Sequence, residues 1–490
     1  MKLSRHALAF CTAISFFARI GPADENAVNP QISKIAGEVS EDRIKAIIEK
    51  LVSFGTRNTM SDATDPAHGV GAARQWILEQ FQSYSPKLQV RFDKYRVKKQ
   101  GQRIFKDVDL YNVIAVLPGK TMPETEVWIT GHYDSINLGN RPPAPASESA
   151  STSGPGASDN PLSATQNMTP ADFEKNAALP APGACDDGSG TAAVMELARV
   201  MSQYEFDKTL VFAAFAGEEQ GLIGSSLQAA KAHKENEAIE AVLNNDIIGT
   251  DTSGNGRFGN TSVSVYSDET MDSPSQQLSR YVREIGERYL PSMKVDPVFM
   301  GDRLGRGGDH TPFQWEGYAA VRLSTPNEFY ANQHHATDLL ENMSVPYTAK
   351  VARVNGVVAA SLALSPKAPN VMRAPAPPRD WEKTDGAPTP PRRPTPTISR
   401  GKSGYDALLQ WKPAGPDAAI KGYTIVMRPT TSPYWEQEIY VGKVTEYLMK
   451  DVSIDDMKFG VKTIGVDGGE SLVAPYVYPA RAKTEIQTVQ

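Results

Sequence analysis

Ten acidic and imidazole side chains stand in short polar runs of this sequence, many of them directly after apolar segments. They are His132, Asp134, Asp186, Asp187, Glu218, Glu219, Asp246, His310, His334 and His335. Imidazole and carboxylate groups are both zinc ligands, and a carboxylate can bridge two metal ions about 3.5–4 Å apart. Because so many acids in one core would repel one another, we expect divalent cations among them. The ligand positions offered for two ions are His132, Asp186, Glu219, Asp246 and one histidine of the pair His334-His335.

Each of these motifs also has an ordinary structural explanation. Asp186-Asp187 before a glycine is a common sequence for a surface turn and helix cap, and Glu218-Glu219 would suit a solvated helix start. A His-x-Asp pair is often only a surface hydrogen bond. Taken singly, most of these motifs would favour the ordinary explanation, and it is their occurrence together that favours a metal site.

The elements that must position these residues alternate along the chain. Apolar runs predict strands over 88–97, 111–117, 127–130, 210–216, 241–248 and 319–324, and helical spacing of apolar residues predicts helices over 41–51, 73–84, 190–204 and 346–364. This alternation predicts a three-layer α/β/α domain over residues 30–365. Sites in such domains form at the carboxyl ends of the strands, where the acids and histidines stand.

The two ends of the chain differ from this domain. Basic residues followed by an apolar run over 7–18 predict an export signal over residues 1–23, so we expect a secreted or periplasmic protein; the run is too short to span a bilayer. We also expect a surface insertion over 140–182, a proline-rich, extended linker over 366–396 and a small β-sandwich over 397–485.

Composition excludes some classes of function. With 490 residues the chain is too long for one core, and 40% hydrophobic and 22% charged residues are typical of a soluble globular protein. The net charge of -6 gives no basic surface for nucleic acid. Only two cysteines occur, Cys11 and Cys185, and the first lies in the export signal, so no disulfide framework is predicted.

Five blocks of the sequence, in this order and at compatible spacing, resemble those of the M28 zinc metallopeptidases. They are Gly131-His-Tyr-Asp134, Gly183-Ala-Cys-Asp-Asp-Gly-Ser-Gly190, Gly217-Glu-Glu-Gln-Gly221, Asn245-Asp246 and His334-His-Ala-Thr-Asp338. The resemblance implies a phosphorylase/hydrolase-like fold with a mixed central sheet. It also implies two zinc ions, one held by His132, Asp186 and Asp246 and the other by Asp186, Glu219 and His334.

The resemblance further implies a role for several neighbouring residues. Glu218 would be the general base, and Asp134 would orient His132, which agrees with two side chains that face the same way in an extended segment. The Asp186–Asp187 peptide bond would be cis, with Asp187 shaping the backbone. Cys185 stands where the family more often has Asn or Asp. Three roles are considered for His310: it could contact substrate, support the metal site, or be a buried structural histidine.

The expected activity is that of a two-zinc exopeptidase, most simply an aminopeptidase acting on peptides with a free N-terminus. Alternatives are a carboxypeptidase, a glutaminyl cyclase of similar fold, or a non-catalytic binding protein. Phe299, Met300 and Arg306 are candidates to line the substrate pocket. The module over 397–485 resembles a fibronectin type III domain at Trp411 and Tyr423. Its expected role is that of a spacer, with binding to a surface or polymer partner as the alternative. Deletion of the residues beyond Pro366 is expected to leave peptidase activity largely intact.

Overall fold

The computed structural model describes residues 28–139, 168–375 and 393–478. The predicted export signal lies outside these ranges, as do most of the 140–182 insertion, the centre of the 366–396 linker and the last residues assigned to the C-terminal module. The described part of the chain forms a large α/β unit followed by a smaller unit of antiparallel sheets.

An eight-stranded mixed sheet forms the centre of the larger unit. Its strands are β1 (Gln89–Val97), β2 (Val108–Leu117), β3 (Met122–His132), β4 (Lys208–Phe215), β5 (Ala238–Asn245), β6 (Ser262–Tyr266), β7 (Lys294–Val298) and β8 (Ala320–Ser324). They lie in the order β1-β2-β4-β3-β5-β8-β6-β7. The neighbours β4, β3, β5 and β8 run parallel, whereas β1, β2 and β6 pair antiparallel with at least one neighbour. The predicted α/β class and mixed sheet are confirmed.

Helices cover both faces of this sheet. They are α1 (Pro30–Glu38), α2 (Glu41–Ser53), α3 (Gly69–Tyr84), α4 (Pro170–Asn176), α5 (Gly188–Met201), α6 (Ile223–Glu235), α7 (Pro274–Tyr289), α8 (His310–Trp315) and α9 (Val345–Leu364). Val127 and Ile129 of β3 pack into the core under α5 and α9, while Trp128 between them packs on the other side with Phe313 of α8. This alternation shows a strand buried on both faces, as its continuous apolar sequence predicts.

The three central strands deliver polar residues to one edge of the sheet. His132 ends β3, Asp246 directly follows β5, and Glu218 and Glu219 come three and four residues after Phe215, the last residue of β4. Because β4, β3 and β5 are parallel neighbours, their carboxyl ends lie side by side. The fold therefore brings together residues that are more than 80 positions apart in the chain.

The smaller unit consists of two antiparallel sheets around one core. A three-stranded sheet holds β11 (Ile398–Ser399), β12 (Ala407–Gln410) and β15 (Glu446–Met449); a four-stranded sheet holds β13 (Ile420–Pro429), β14 (Gln437–Gly442), β16 (Met457–Gly465) and β17 (Ala474–Pro475). Leu409 from the first sheet and Ile425 and Val461 from the second belong to the same buried cluster. We call this two-sheet unit the C-terminal sandwich.

The linker differs from the sequence-based expectation at both of its ends. Met372–Arg373 (β9) pairs with Thr395–Pro396 (β10), and Asn370 exchanges backbone hydrogen bonds with Lys412. Val371 is buried in the core of the C-terminal sandwich. The ends of the proline-rich stretch are thus part of the folded module, because they carry backbone donors and one apolar side chain that the sandwich can use.

None of the helices in the described ranges combines the length and apolarity that a bilayer crossing requires.

Candidate metal centre

Two sets of potential metal ligands lie at the carboxyl edge of the central strands. His132, Glu218 and Asp246 form one set, and Asp186, Glu219 and His334 form the other; within each set the ligand atoms lie within 4.8 Å of one another. All five residues predicted as ligands, and the predicted base Glu218, are therefore brought together in the folded chain. Their binding of metal stays a prediction.

Asp186 lies between the two histidines. Its Oδ1 is 3.3 Å from Nε2 of His132, and its Oδ2 is 3.2 Å from Nε2 of His334. The same His334 nitrogen is 3.3 Å from Oε2 of Glu219, and the His132 nitrogen is 3.9 Å from Oδ1 of Asp246. One carboxylate thus presents a different oxygen to each half of the site, which is the geometry that a bridging ligand requires.

The geometry distinguishes between His334 and His335, the two candidates for one ligand position. His334 contacts Asp186 and Glu219, and its backbone adopts the left-handed conformation with φ 59°. A non-glycine residue in that conformation costs about 1–2 kcal/mol, which the surrounding contacts must offset. The neighbouring His335 is half-buried and belongs to neither ligand set.

Asp134 makes hydrogen bonds to two segments of the site, the one that carries His132 and the one that carries Glu218 and Glu219. Nδ1 of His132 donates to the backbone oxygen of Asp134 at 3.1 Å, closer than the 3.5 Å to its carboxylate, which leaves Nε2 as the nitrogen that faces the other ligands. The carboxylate instead accepts the backbone N–H groups of Glu218 and Glu219 at 3.2 and 3.3 Å. Asp134 therefore orients the imidazole chiefly through its carbonyl and also fixes the Glu218-Glu219 turn, a second role that the sequence does not reveal.

Asp187 ties three ligand-bearing segments together. The Asp186–Asp187 bond is cis. The Asp187 carboxylate accepts backbone N–H groups from His132 at 3.1 Å, Gly190 at 2.8 Å and Ile247 at 3.3 Å. A Cβ on Gly190 would lie only 2.3 Å from the backbone oxygen of Asn245, so glycine lets α5 approach the end of β5 this closely. Asp187 shapes the backbone around the site, and it is not a member of either ligand set.

Asp338 and Arg57 hold the loop that carries Asp186 through hydrogen bonds to backbone groups. Asp338 accepts the N–H groups of Cys185 and Asp186, both at 2.9 Å. The buried guanidinium of Arg57 donates to the carbonyls of Tyr133 at 2.6 Å and Gly183 at 2.8 Å, and so joins the His132 segment to the Asp186 segment. Neither contact has a local sequence signal, because each depends on segments that are distant in the chain.

Arg322 supports Asp246 from inside the sheet. Its Nη2 donates to Oδ1 of Asp246 at 2.9 Å, and its Nη1 donates to Oδ2 of Asp302 at 2.8 Å. Arg322 is fully buried in β8, where a charge requires partners. Sequence reasoning missed this residue, although an arginine inside an otherwise apolar strand is the signal that could have revealed it.

The other residues considered from sequence belong to neither ligand set. His310 is buried and donates from Nε2 to the carbonyl of Gly301 at 2.6 Å, which is the structural alternative. Burial raises the pKa of the Cys185 thiol well above its usual value. Phe299 packs on Tyr434 of the C-terminal sandwich, and Arg306 pairs with Glu328.

Burial and crowding of like charges perturb the site's protonation. Burial raises the pKa of Glu218 well above its usual value; the Glu219 and Asp246 carboxylates raise it further, and His132 opposes them. Burial also raises the pKa of Asp309, a neighbouring carboxyl whose two oxygens lack hydrogen-bond partners, to about 7. Glu218 alone of these acids is partly exposed, so it is the one that a substrate can reach.

The donor set fits a pair of zinc ions. It contains only imidazole nitrogen and carboxylate oxygen, in two groups that share Asp186 between them. Oε1 of Glu219 is buried and has no hydrogen-bond partner, although such atoms are rarely left unpaired in native proteins. A cation at this position would satisfy it.

This fold and this site define an α/β metallopeptidase class. The chain belongs to peptidase family M28, whose model matches residues 112–359. A probable zinc metalloprotease of Pyricularia oryzae is 36% identical over 471 residues, which cover 89% of this chain and 82% of that protein.

Two solved structures resemble the fold at lower identity. The Legionella pneumophila LapA aminopeptidase has a TM-score of 0.48 at 18% identity and covers 73% of this chain and 80% of that chain. A Porphyromonas gingivalis glutaminyl cyclase has a TM-score of 0.46 at 16% identity and covers 65% of this chain and 97% of that chain. Neither similarity bears on which reaction this chain catalyses.

Proposed function

We propose that this protein is a secreted two-zinc aminopeptidase that removes residues from the free N-terminus of peptides. The observation that carries the proposal is the position of Asp186, with one carboxylate oxygen toward His132 and the other toward His334. His132, Asp186 and Asp246 would hold one ion, and Asp186, Glu219 and His334 the other. The P. oryzae relative named a probable zinc metalloprotease supports the choice of metal.

The chain's own residues supply proton transfer and orientation. A bound zinc pair would supply Lewis acidity, which activates water and polarises a carbonyl. Glu218 takes a proton from the attacking water and later donates it to the leaving amine. Asp134 holds the Glu218 backbone N–H and so limits the movement of the base.

Charge favours an aminopeptidase over a carboxypeptidase. Apart from His132, the charged groups that act on Glu218 are acids, chiefly Glu219 and Asp246. These acids favour the ammonium group of a peptide N-terminus, whereas a C-terminal carboxylate would require a free cation. Arg322 is buried against Asp246 and Asp302, and Arg306 is paired with Glu328.

Substitution of the base tests the reaction. Glu218→Gln keeps the size of the side chain and is expected to retain two zinc ions per chain by elemental analysis while losing nearly all turnover of an aminoacyl-nitroanilide. Glu49→Gln, at a side chain with 54% exposure on α2, is the matched control and should behave as the unmodified protein. Full activity of Glu218→Gln would remove Glu218 as the base.

Substrates with altered ends separate the alternatives. A free aminoacyl-nitroanilide should be cleaved, and its N-acetylated form should not. A glutaminyl cyclase would instead release ammonia from a peptide with N-terminal glutamine, and a carboxypeptidase would shorten an N-acetylated peptide. A protein that binds zinc and turns over none of these substrates would be a binding protein.

We also propose an exported location and a fibronectin type III-like identity for the C-terminal sandwich. Residues 1–23 have the pattern of an export signal. The sandwich has seven short strands in sheets of three and four, and Trp411 packs on Tyr423 with ring centroids 5.4 Å apart. Sequencing the N-terminus of the protein recovered from culture medium would locate the cleavage that export requires.

A further inference from the structure

We propose that the C-terminal sandwich contributes to metal binding, because it holds the segment that positions Asp246 through Arg322. The proposal rests on the proposed function in one respect, that Asp246 is a zinc ligand. It reverses the sequence-based expectation that removing the module leaves peptidase activity largely intact.

Aromatic and cationic side chains join the sandwich to the end of β7. The ring of Tyr434 lies 6.2 Å from that of Phe299, the residue directly after β7, which is a favourable distance for two aromatic rings. The guanidinium of Arg280 on α7 lies 4.9 Å from the Phe299 ring and donates to the carbonyl of Pro433 at 2.7 Å. The half-buried Phe299 therefore contacts both α7 and the sandwich.

Buried charges fix the same interface. Asp272, which is 1% exposed, accepts two hydrogen bonds from Arg428 of the sandwich at 2.7 and 2.8 Å and lies 3.1 Å from Arg280. Trp435 donates from its indole nitrogen to Gln277 of α7 at 3.1 Å. Such charges are costly to separate once buried, since each would lose its partner. The two units are thus held in one relative position at this contact.

From Phe299 the contacts continue to the metal centre in two directions. Gly301, two residues on, accepts the Nε2–H of the buried His310. Asp302, the next residue, accepts one arm of the Arg322 fork, whose other arm donates to Asp246. Only two residues lie between Phe299 and Asp302, so the backbone at Phe299 is the short link through which the sandwich acts on the carboxylate that holds Arg322.

The Arg322 fork determines how Asp246 is presented. A planar guanidinium bound by two carboxylates has a fixed orientation, and it fixes the orientation of Asp246 in turn. If Asp302 moves, Arg322 loses one anchor and can follow Asp246 instead of restraining it. Partners behind a metal ligand typically change metal affinity by about 10–100-fold when removed.

Contact alone does not establish coupling, so the test measures an interaction between two sites. The variants are Tyr434→Ala, Asp302→Asn and the double variant in the full-length chain, with Tyr434→Phe to restore the ring. Tyr405→Ala is the control, since this tyrosine of the sandwich is 80% exposed. The readouts are zinc affinity by chelator competition and the separate values of kcat and KM.

We expect Asp302→Asn to weaken zinc binding by about tenfold or more and Tyr434→Ala by a smaller factor of about three to ten. The double variant should weaken binding by less than the product of the two factors, and Tyr434→Phe and Tyr405→Ala should match the unmodified protein. Independent factors, or a Tyr434→Ala variant with unchanged zinc affinity, would overturn the coupling.

The zinc readout also separates this inference from the proposed function. If the unmodified protein binds zinc and cleaves no peptide, the proposed activity fails while the coupling can still be measured. If it binds no zinc, both fail. Should Tyr434→Ala not fold, Arg428→Met, which removes the two hydrogen bonds from Nη2 to Asp272, replaces it with the same expected loss of zinc affinity.

Discussion

Replacement of Arg57 by methionine should destabilise the α/β unit by about 3 kcal/mol. The Arg57 guanidinium donates to four backbone carbonyls, those of Leu51, Tyr133, Pro182 and Gly183. Two of them keep another partner in the variant, because Phe54 N–H donates to Leu51 and Gly188 N–H donates to Gly183.

The remaining two carbonyls, those of Tyr133 and Pro182, lose the arginine as a donor. A buried group left without a partner costs about 1–3 kcal/mol, so the pair amounts to roughly 2–6 kcal/mol. Removal of a buried charge offsets part of this loss. Burial lowers the pKa of Arg57 to about 10, against the effect of Asp338 and other acids, and the guanidinium is therefore charged at neutral pH. The expected loss of unfolding free energy therefore lies in the lower half of this range, at about 3 kcal/mol.

Urea unfolding of the metal-free protein, followed by far-ultraviolet circular dichroism, measures this loss. Arg91→Met is the control, because the Arg91 side chain is 45% exposed and pairs with Asp93 at the surface; its effect should stay within about 0.5 kcal/mol. A loss below about 1 kcal/mol for Arg57→Met, or an equal loss for both variants, would refute the assignment of Arg57 as the clamp between the two ligand segments.

Three further predictions concern metal binding and the module interface. Burial lowers the pKa of His334, but Glu219 and Asp186 outweigh this effect and raise the pKa to about 10, so zinc must displace a proton from His334 below that pH. Apparent zinc affinity should therefore rise about tenfold per pH unit for each proton displaced between about pH 6 and pH 8. A zinc affinity independent of pH would contradict this. Asp338→Asn keeps one acceptor oxygen of two, and chelator competition should show zinc affinity reduced about tenfold. Lys462→Met removes a buried ammonium that pairs with three carboxylates at the interface, and it should lower the unfolding free energy of the sandwich by about 1–3 kcal/mol. Urea titration beside a variant of an exposed lysine measures this loss. No change would show that these ion pairs make no net contribution to stability.

Local sequence was sufficient to predict the α/β class and its mixed sheet. β4 is buried along its whole length, and its continuous apolar sequence needs no distant information to be identified as a central strand. Acids and histidines that directly follow such strands must gather at one edge, since parallel strands end together. This reasoning predicts that His132, Glu218, Glu219 and Asp246 gather at one edge, and they do so in the folded chain. The prediction of Asp186 rests on its acidic pair and on the resemblance to the family.

The supporting contacts could not be predicted in the same way. Arg57, Asp338 and Arg322 act through partners 6 to 153 positions away, and nothing in their neighbouring residues identifies those partners. The choice between His334 and His335 depends on a left-handed backbone at one position, and the contact of Phe299 with the sandwich depends on how two units pack. These features follow from tertiary packing, which a periodicity or a motif does not report.

The contacts of Asp187 and Asp338 have a consequence for synthesis of the chain. One carboxylate collects N–H groups from residues 132, 190 and 247, and the other holds the loop before Asp186 from a position near residue 340. A ribosome-bound chain that ends before His334 lacks both a predicted ligand and the contacts of Asp338 with Cys185 and Asp186. The candidate metal centre can therefore assemble only after nearly the whole α/β unit has been synthesised.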